Sequence, residues 1–600
     1  MRKKPKNEKH IIGFLFAICL FLSVFLGGML FSLKSLHIPD LRTVANYQPQ
    51  QASVIYDRNG RVVERIFTEN RTVVTLSEMN PLLPKAFVAA EDGRFYDHPG
   101  LDFISVLRAA INNAREGRRG QGGSTITQQV ARSLLLTPEK TYIRKFKEAI
   151  LAWRIDTMLT KDEILFIYLN QIYLGAGAHG VEAASQVYFG KHASQLNLGE
   201  VAILAGLPQA PSRYSPIKHL DRAVARQRYV LNRMAADGYI DAGAARKAYH
   251  VEPRVRESKA SSDPINGYYL DVVKKQAVEL LGVPLQTAGA RIYTHLDQGL
   301  QAHAVESVAK GVRAVRARNG ATGNAPQGAL VCMEKKNGNV RALVGGVSFT
   351  ASPFNRATQA KRPVGSTFKP FVYTAALMEG WQPGSTISDA PITISGGNKG
   401  AWQPKNYSGL YHGDTTLQTA LVKSYNVASV RLMKKVGVKD VHRLAQSAGI
   451  TSKMPPDLSL ALGAVDVSLL EMTGSYTPFV NSGQFVQSSL ISRVEYNGTS
   501  IKPQTKRSQV VPAEKAQQMR RMLEKVVSEG TGHRAQVLGA GTGGKTGTSD
   551  DNRDAWFIGF NRKYLTGVWV GHDRNQQLGA KENGGRTAVP IWTDFMEHAR

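Results

Sequence analysis

The hydrophobic rhythm of the chain changes several times, and each change predicts a different kind of element. Ile11 to Leu33 carries no charge and includes Phe14, Leu15, Phe16, Ile18, Leu20, Phe21 and Leu22. At about 1.5 Å per residue, such a helix crosses a hydrocarbon core of roughly 30 Å. Ala52 to Val63 holds two apolar stretches around the turn Asp57-Arg-Asn-Gly60 and predicts a hairpin. From Pro84 to about Lys247 the spacing becomes helical. Thr160 with Glu163 predicts a capping box, and Ile164, Leu165, Tyr168 and Leu169 follow on one face. Glu252 to Gln327 is mixed, with a weak strand around Ala290–His295 and a loop by composition at Arg316–Pro326. Beyond it, Ala329–Met333 and Val340–Gly346 read as strands. Ala555–Phe560 and Tyr564–Val570, joined by a turn at Asn561, read as an antiparallel hairpin.

These patterns predict a multidomain chain: a tail over 1–10, a transmembrane helix over 11–33 and a stalk over 34–51. A mostly α domain follows over 52–247, then a linker region over 248–327. A mixed α/β (α+β) domain with an antiparallel sheet occupies 328–600. At 600 residues the chain is too long for one core.

Composition narrows the class. With 42% apolar and 20% charged residues the chain is globular rather than disordered. Arg2, Lys3, Lys4, Lys6 and Lys9 stand against Glu8 before the apolar run, which holds the first residues in the cytoplasm and sends the remainder across. No small-x-small cleavage site follows Phe31, so the run reads as an uncleaved anchor. The net charge of +29 fits anionic lipid headgroups and wall polymers better than nucleic acid, because no zinc finger, helix-turn-helix or RNP motif accompanies it. Cys19 and Cys332 cannot pair, since Cys19 lies in the apolar run. The fourteen His are scattered, and no metal-ligand cluster of Cys and His is visible.

Two constellations carry chemistry. The first begins with Glu91-Asp-Gly-Arg-Phe-Tyr-Asp-His-Pro-Gly100. It continues with Gly122-Gly-Ser-Thr-Ile-Thr-Gln-Gln129, Arg144-Lys-Phe-Lys-Glu148 and Lys161-Asp-Glu-Ile-Leu-Phe-Ile-Tyr-Leu-Asn170. Two carboxylates, Glu91 and Glu148, on separate elements suit glycosyl chemistry. Arg132, Arg144 and Lys145 suit a phosphate-bearing donor. Taken alone, Arg144 and Glu148 at i,i+4 also read as a surface ion pair.

In their order the four blocks resemble the motifs of glycosyltransferase family 51, the lysozyme-like peptidoglycan polymerases, and Arg226 to Met234 resembles a fifth. The resemblance implies Glu91 as the general base on the 4-hydroxyl of lipid II, with inversion and undecaprenyl pyrophosphate leaving. It implies Glu148 as a second essential carboxylate, and Gln128, Gln129, Arg144 and Lys145 along the donor cleft. Arg132 stands where many relatives carry lysine, which keeps the charge. Glycan cleavage is the alternative a lysozyme-like fold allows, but a hydrolase needs neither the cations nor the anchor.

The second constellation is Gly365-Ser-Thr-Phe-Lys-Pro370, Ser424-Tyr-Asn426 and Lys545-Thr-Gly-Thr548. Ser366 and Lys369 at i,i+3 aim at one place, and a buried lysine can take the serine's proton. Gly547 reads as letting a peptide backbone approach an edge strand. The order S-x-x-K, S-x-N, K-T-G resembles the penicillin-binding proteins and serine β-lactamases. Phe354–Ala357, Ser459–Ser468 and Asp554–Phe560 are similar to the same group. No Glu-x-x-Leu-Asn follows Asn426, which speaks against a β-lactamase.

Together the blocks resemble a class A penicillin-binding protein. That implies acylation of Ser366 by D-Ala-D-Ala stem peptides, with Lys369 as base and Ser424 and Asn426 as relay and substrate holders. Lys545, Thr546 and Thr548 would bind the peptide carboxylate or a β-lactam. It further implies an inner-membrane, single-pass enzyme acting on lipid II and nascent peptidoglycan, with wall-synthesis regulators as partners. The resemblance implies no required cofactor, with room for a divalent Mg or Mn ion at the glycosyltransferase site. A silent half, or a β-lactam sensor or scaffold, is the alternative.

Overall fold

The computed structural model describes residues 44, 47, 49–104, 124–135, 142–249, 253–255, 264–319, 325–395 and 401–599. The predicted tail and membrane helix, and most of the stalk, lie outside them. Among the described residues no helix is long and apolar enough to cross a membrane.

Two compact units emerge: one takes in Ile66–Ala260, the other Ser53–Arg65 with Ser261–Arg600. The first unit is mostly helical. It includes α1 (Leu82–Glu91), α2 (Ile126–Leu135), α3 (Tyr142–Met158), α4 (Lys161–Gln171), α5 (Leu198–Gly206) and α6 (Leu220–Ala236). Their apolar stripes meet in a core that includes Leu83, Phe87, Leu151, Ile164, Leu169, Leu204 and Val230. The predicted capping box opens α4: Thr160 Oγ1 accepts from Glu163 N at 3.3 Å, and Glu163 Oε2 accepts from Thr160 N at 2.7 Å.

The second unit contains two five-stranded sheets. One runs β7-β6-β3-β1-β2, from β1 (Ser53–Tyr56), β2 (Val62–Ile66), β3 (Arg291–Thr294), β6 (Ile491–Tyr496) and β7 (Thr499–Ile501). β1 lies parallel to β3, and β6 antiparallel to it. A ladder of side chains ties these strands. Tyr56 stacks on Tyr293 with centroids 4.8 Å apart, and the Arg493 guanidinium sits 3.5 Å from the Tyr293 centroid. The other sheet runs β8-β9-β10-β4-β5, all antiparallel. It comprises β4 (Gln327–Glu334), β5 (Val340–Val344), β8 (Gly543–Thr548), β9 (Asp554–Phe560) and β10 (Tyr564–Gly571). The hairpin expected near the end of the chain is β9–β10. Helices α7 (Gln298–Asn319) and α10 (Gly584–His598) cover this sheet and bury Leu300, Val308, Val312, Ile591, Trp592 and Phe595.

Two expectations change. The 52–63 hairpin, expected in the helical domain, joins the second unit instead: β1 pairs with β3, and β2 forms the sheet edge beyond β1. A strand's backbone groups need a ladder, and the sheet of the second unit supplies it. Likewise, most of 248–327 is not a linker: α7 packs Leu300, Ala304, Val308, Val312 and Val315 into the core. The loop expected from Arg316 starts later, since α7 continues to Asn319.

Candidate active sites

In the first unit, α1 ends at Glu91, and the two carboxylates at its end divide between them one face of α2. Asp92 Oδ2 accepts from Ile126 N at 3.0 Å, and Glu91 Oε2 accepts from Gln129 Nε2 at 2.9 Å. Burial raises the Glu91 pKa, opposed by the Gln129 bond and by the charges of Arg226 and Arg132. Gln128 turns the other way and accepts from Thr125 N at 3.0 Å, which stiffens the entry to α2.

Glu148 on α3 is fully buried, so the surface-pair reading does not hold. Its Oε1 accepts from Lys145 Nζ at 2.6 Å, and Arg144 Nη1 lies 3.4 Å from Oε2. Lys145 also donates to Ser124 Oγ at 2.7 Å, which ties α3 to the Ser-Thr end of the second block. α2 thus stands between the two carboxylates, touching Glu91 through Gln129, while Ser124 just ahead of it reaches Glu148 through Lys145.

Two groups near Glu91 were not singled out as site residues in the sequence. Arg226 stands close enough to lower its pKa, on the block noted only by its likeness. Tyr168 on α4 feels the Glu91 charge, and its buried hydroxyl has no hydrogen-bond partner among the described residues. Asp92, His98 and Asp102 bring their potential ligand atoms within 4.8 Å of one another. His98 Nε2 lies 3.0 Å from Asp92 Oδ1, and Arg94 pairs with Asp102, so hydrogen bonds and an ion pair already engage this cluster.

In the second unit Ser366 sits on a short 3-10 turn, Gly365–Phe368, that leads into α8 (Lys369–Met378). That turn is wedged between β8 and the Gly463 bend. A Cβ on Gly365, at φ +56°, would strike the Thr548 carbonyl, and one on Gly547 would come within 2.6 Å of the Val364 carbonyl oxygen. Gly547 therefore lets the serine turn pack against the edge strand, and its Cβ direction faces protein rather than a peptide.

Lys369 is fully buried. Its Nζ donates to Ser424 O and Asn426 Oδ1, each at 2.7 Å, with Ser424 Oγ at 3.3 Å. Lys545, also buried, donates to Ser424 Oγ at 3.0 Å and to Thr546 O at 3.0 Å. Neither lysine has an ion-pair partner among the described residues. Burial, then the charge of Lys545, hold the Lys369 pKa well below its ordinary value, and burial brings Lys545 down to about 7. Ser424 is thus bracketed by two lysines, with Asn426 beside it. Thr546 Oγ1 bonds Thr531 Oγ1 at 2.6 Å, a partner no motif signalled. Thr548 Oγ1 accepts from Gly584 N at 3.2 Å, and β8 is the free edge of its sheet.

The second site gathers a serine turn, two buried lysines and the Ser424–Asn426 pair, and the first gathers two carboxylates among cations. Residues 59–235 match the family described as transglycosylase, and residues 328–597 match the penicillin binding protein transpeptidase domain. Penicillin-binding protein 1A of Aquifex aeolicus (strain VF5) is 36% identical, with 98% of this chain and 92% of that one covered. Its counterpart from Neisseria gonorrhoeae is 33% identical, with 98% and 87% covered. The 2.6 Å crystal structure of penicillin-binding protein 1A from Haemophilus influenzae shares the fold, with a TM-score of 0.62 at 24% identity over 92% of each chain. The chain belongs to the penicillin-binding proteins that join a transglycosylase to a transpeptidase, and it is a bifunctional peptidoglycan synthase with glycosyltransferase and transpeptidase activities.

Proposed function

We propose that Glu91 is the general base of the polymerising site and Ser366 the nucleophile of the cross-linking site. One observation carries this reading: burial raises the pKa of a carboxyl in one unit and lowers that of a lysine in the other. Each group is thereby brought toward the range where a base works best at neutral pH.

In the first site Glu91 takes the proton of the lipid II 4-hydroxyl as that oxygen attacks the anomeric carbon of the growing strand. The configuration inverts, and undecaprenyl pyrophosphate leaves. Arg132, Arg144 and Lys145 meet the pyrophosphate charge, Glu148 holds Arg144 and Lys145 in place, and Gln129 orients Glu91. Gln128 fixes the loop that lines the donor cleft. Were a divalent ion to act here, Glu148 would help to hold it, and it would supply positive charge to the leaving pyrophosphate. Since each Glu148 oxygen already faces a cation, chelation is expected to slow polymerisation without abolishing it.

In the second site neutral Lys369 takes the Ser366 proton as Oγ attacks the penultimate D-Ala carbonyl. D-Ala leaves with a proton relayed through Ser424 Oγ, Asn426 holds Lys369 and the substrate, and an amine of a second stem resolves the acyl-enzyme. Lys545, in its protonated fraction, holds the peptide carboxylate. Thr546 and Thr548 guide the peptide along the edge of β8. β-Lactams acylate the same serine.

The uncharged run Ile11–Leu33 anchors the chain in the inner membrane with the catalytic units outside the cytoplasm. Exposed Phe103, Ile104, Phe146 and Trp153 in the first unit suit contact with a lipid surface, where that unit would meet its lipid-linked substrate. Lipid II turnover by the detergent-solubilised chain, with and without penicillin, tests the reading. Glycan strands in both samples, cross-linked only in the untreated one, are expected. Strands in neither sample would remove the polymerase half.

A further inference from the structure

Ser424 adopts φ +63°, a left-handed conformation unusual for a residue other than glycine, and its carbonyl accepts from Lys369. Two residues on, α9 (Asn426–Val436) begins, and its N-cap, Tyr425, makes no side-chain cap bond. The first amides of α9 are served from elsewhere in the chain. Asn406 Oδ1 accepts from Asn426 N at 2.6 Å and Val427 N at 3.3 Å, and Asp389 Oδ1 accepts from Ala428 N at 3.1 Å. The two side chains are joined, because Asn406 Nδ2 donates to Asp389 Oδ2 at 2.6 Å. His412 donates its N–H to the same oxygen at 3.2 Å, places Nδ1 3.0 Å from it, and stacks on Tyr425 at 4.0 Å.

We infer that Asp389 and Asn406 are positioning residues for acylation. Together they hold Ser424-Tyr425-Asn426 in the strained conformation that turns Ser424 O and Asn426 Oδ1 onto Lys369. A buried pair away in sequence does here what an N-cap residue does locally, and it fixes the entry of α9.

The charged and titratable surroundings give Asp389 a second effect. It is fully buried and faces His412, Tyr425, Tyr373 and Lys369, while the neighbouring Arg431 is spent on the carbonyls of Ser388 and Ala390. The Asp389 charge raises the Lys369 pKa, against the lowering by burial and by Lys545. Removing that charge should therefore make Lys369 give up its proton more readily, even as the geometry loosens. A purely structural cap would not move the pH at which Lys369 becomes a base.

The inference rests on the reading of Ser366 and Lys369 as the acylating pair. The test measures the second-order rate constant for labelling by a fluorescent penicillin, as a function of pH, on the full solubilised chain. Asp389→Asn and Asn406→Asp are each expected to slow acylation roughly tenfold or more. Asp389→Asn is also expected to move the acid limb of the profile to lower pH. The double exchange re-forms an amide–carboxylate pair with the charge moved across it, and should recover much of the rate and shift the limb back. Rates within about twofold of the parent, a limb that stays put in Asp389→Asn, or a double variant no faster than the slower single one would each overturn the inference. Ser366→Ala, run beside them, separates the two levels: labelling that survives it refutes the acylating pair itself.

Discussion

Glu148 in the first unit and Lys369 in the second are both fully buried, yet their company differs in kind. Glu148 has Lys145 and Arg144 on its two oxygens, and Lys145 itself reaches solvent. Lys369 and Lys545 have only neutral acceptors among their described hydrogen bonds, and the positive charge of one acts on the other. Burial with a counter-ion keeps charge available, which suits holding a pyrophosphate. Burial without one drives charge off, which suits a lysine that must accept a proton. The same act of burial thus yields a charged scaffold in one unit and a neutral base in the other.

The largest effects should separate the two halves. Ser366→Ala is expected to abolish penicillin labelling and cross-linking while glycan polymerisation continues. Glu91→Gln should lower polymerisation at least about a hundredfold and leave labelling intact. Loss of both activities in either variant would break the comparison at its root.

Stability measurements sharpen it next. Glu148→Ala removes the carboxylate that Lys145 and Arg144 face and should cost the first unit about 1–3 kcal/mol, discounted for the exposure of Lys145. Lys545→Met should cost the second unit little or nothing by thermal unfolding at neutral pH, although acylation falls steeply. The sign follows from linkage. The Lys545 pKa is about 7 folded against 10.5 unfolded, so unfolding takes up a proton between those values. Wild-type stability from this group is complete above 10.5 and is lost as pH falls toward 7.

A pH effect follows. Polymerisation should fail as pH drops through the raised Glu91 pKa. Arg132→Gln, which removes a cation that lowers that pKa, should move the acid limb upward. Smallest is Thr531→Val, which removes the partner of Thr546 and should weaken peptide turnover by a few-fold, about 1 kcal/mol in transition-state terms.

What could be read before any coordinates were the pieces whose signal is local. The Thr160–Glu163 cap, the 555–570 hairpin and each single motif of the two sets lie within a short window. Pairing across distance was not legible. The alternation at 52–63 says strand but not which sheet, because side-chain period carries no information about the partner. The α7 positions 300, 304, 308, 312 and 315 do carry a helical period, which the Arg-Asn-Gly-rich stretch after Arg316 obscured. The burial of Glu148 could not be read, and a surface pair with Arg144 stayed open for that fragment taken alone, because spacing reports contact and not depth. Asp389 and Asn406 had no signal, since side-chain bonds to a distant helix start leave no local pattern.

The sheet that gathers β1 and β2 from the front of the chain has a consequence for the order in which the protein assembles. β1 and β2 emerge early during synthesis, β3 comes only after the whole first unit, and β6 comes later still. The first hairpin must therefore wait with its ladder open while some 225 further residues emerge before β3 can pair with β1, long enough for the first unit to close on its own core. A fragment carrying the polymerase alone would best start after Arg65, because one starting earlier keeps an unpaired strand edge that invites aggregation.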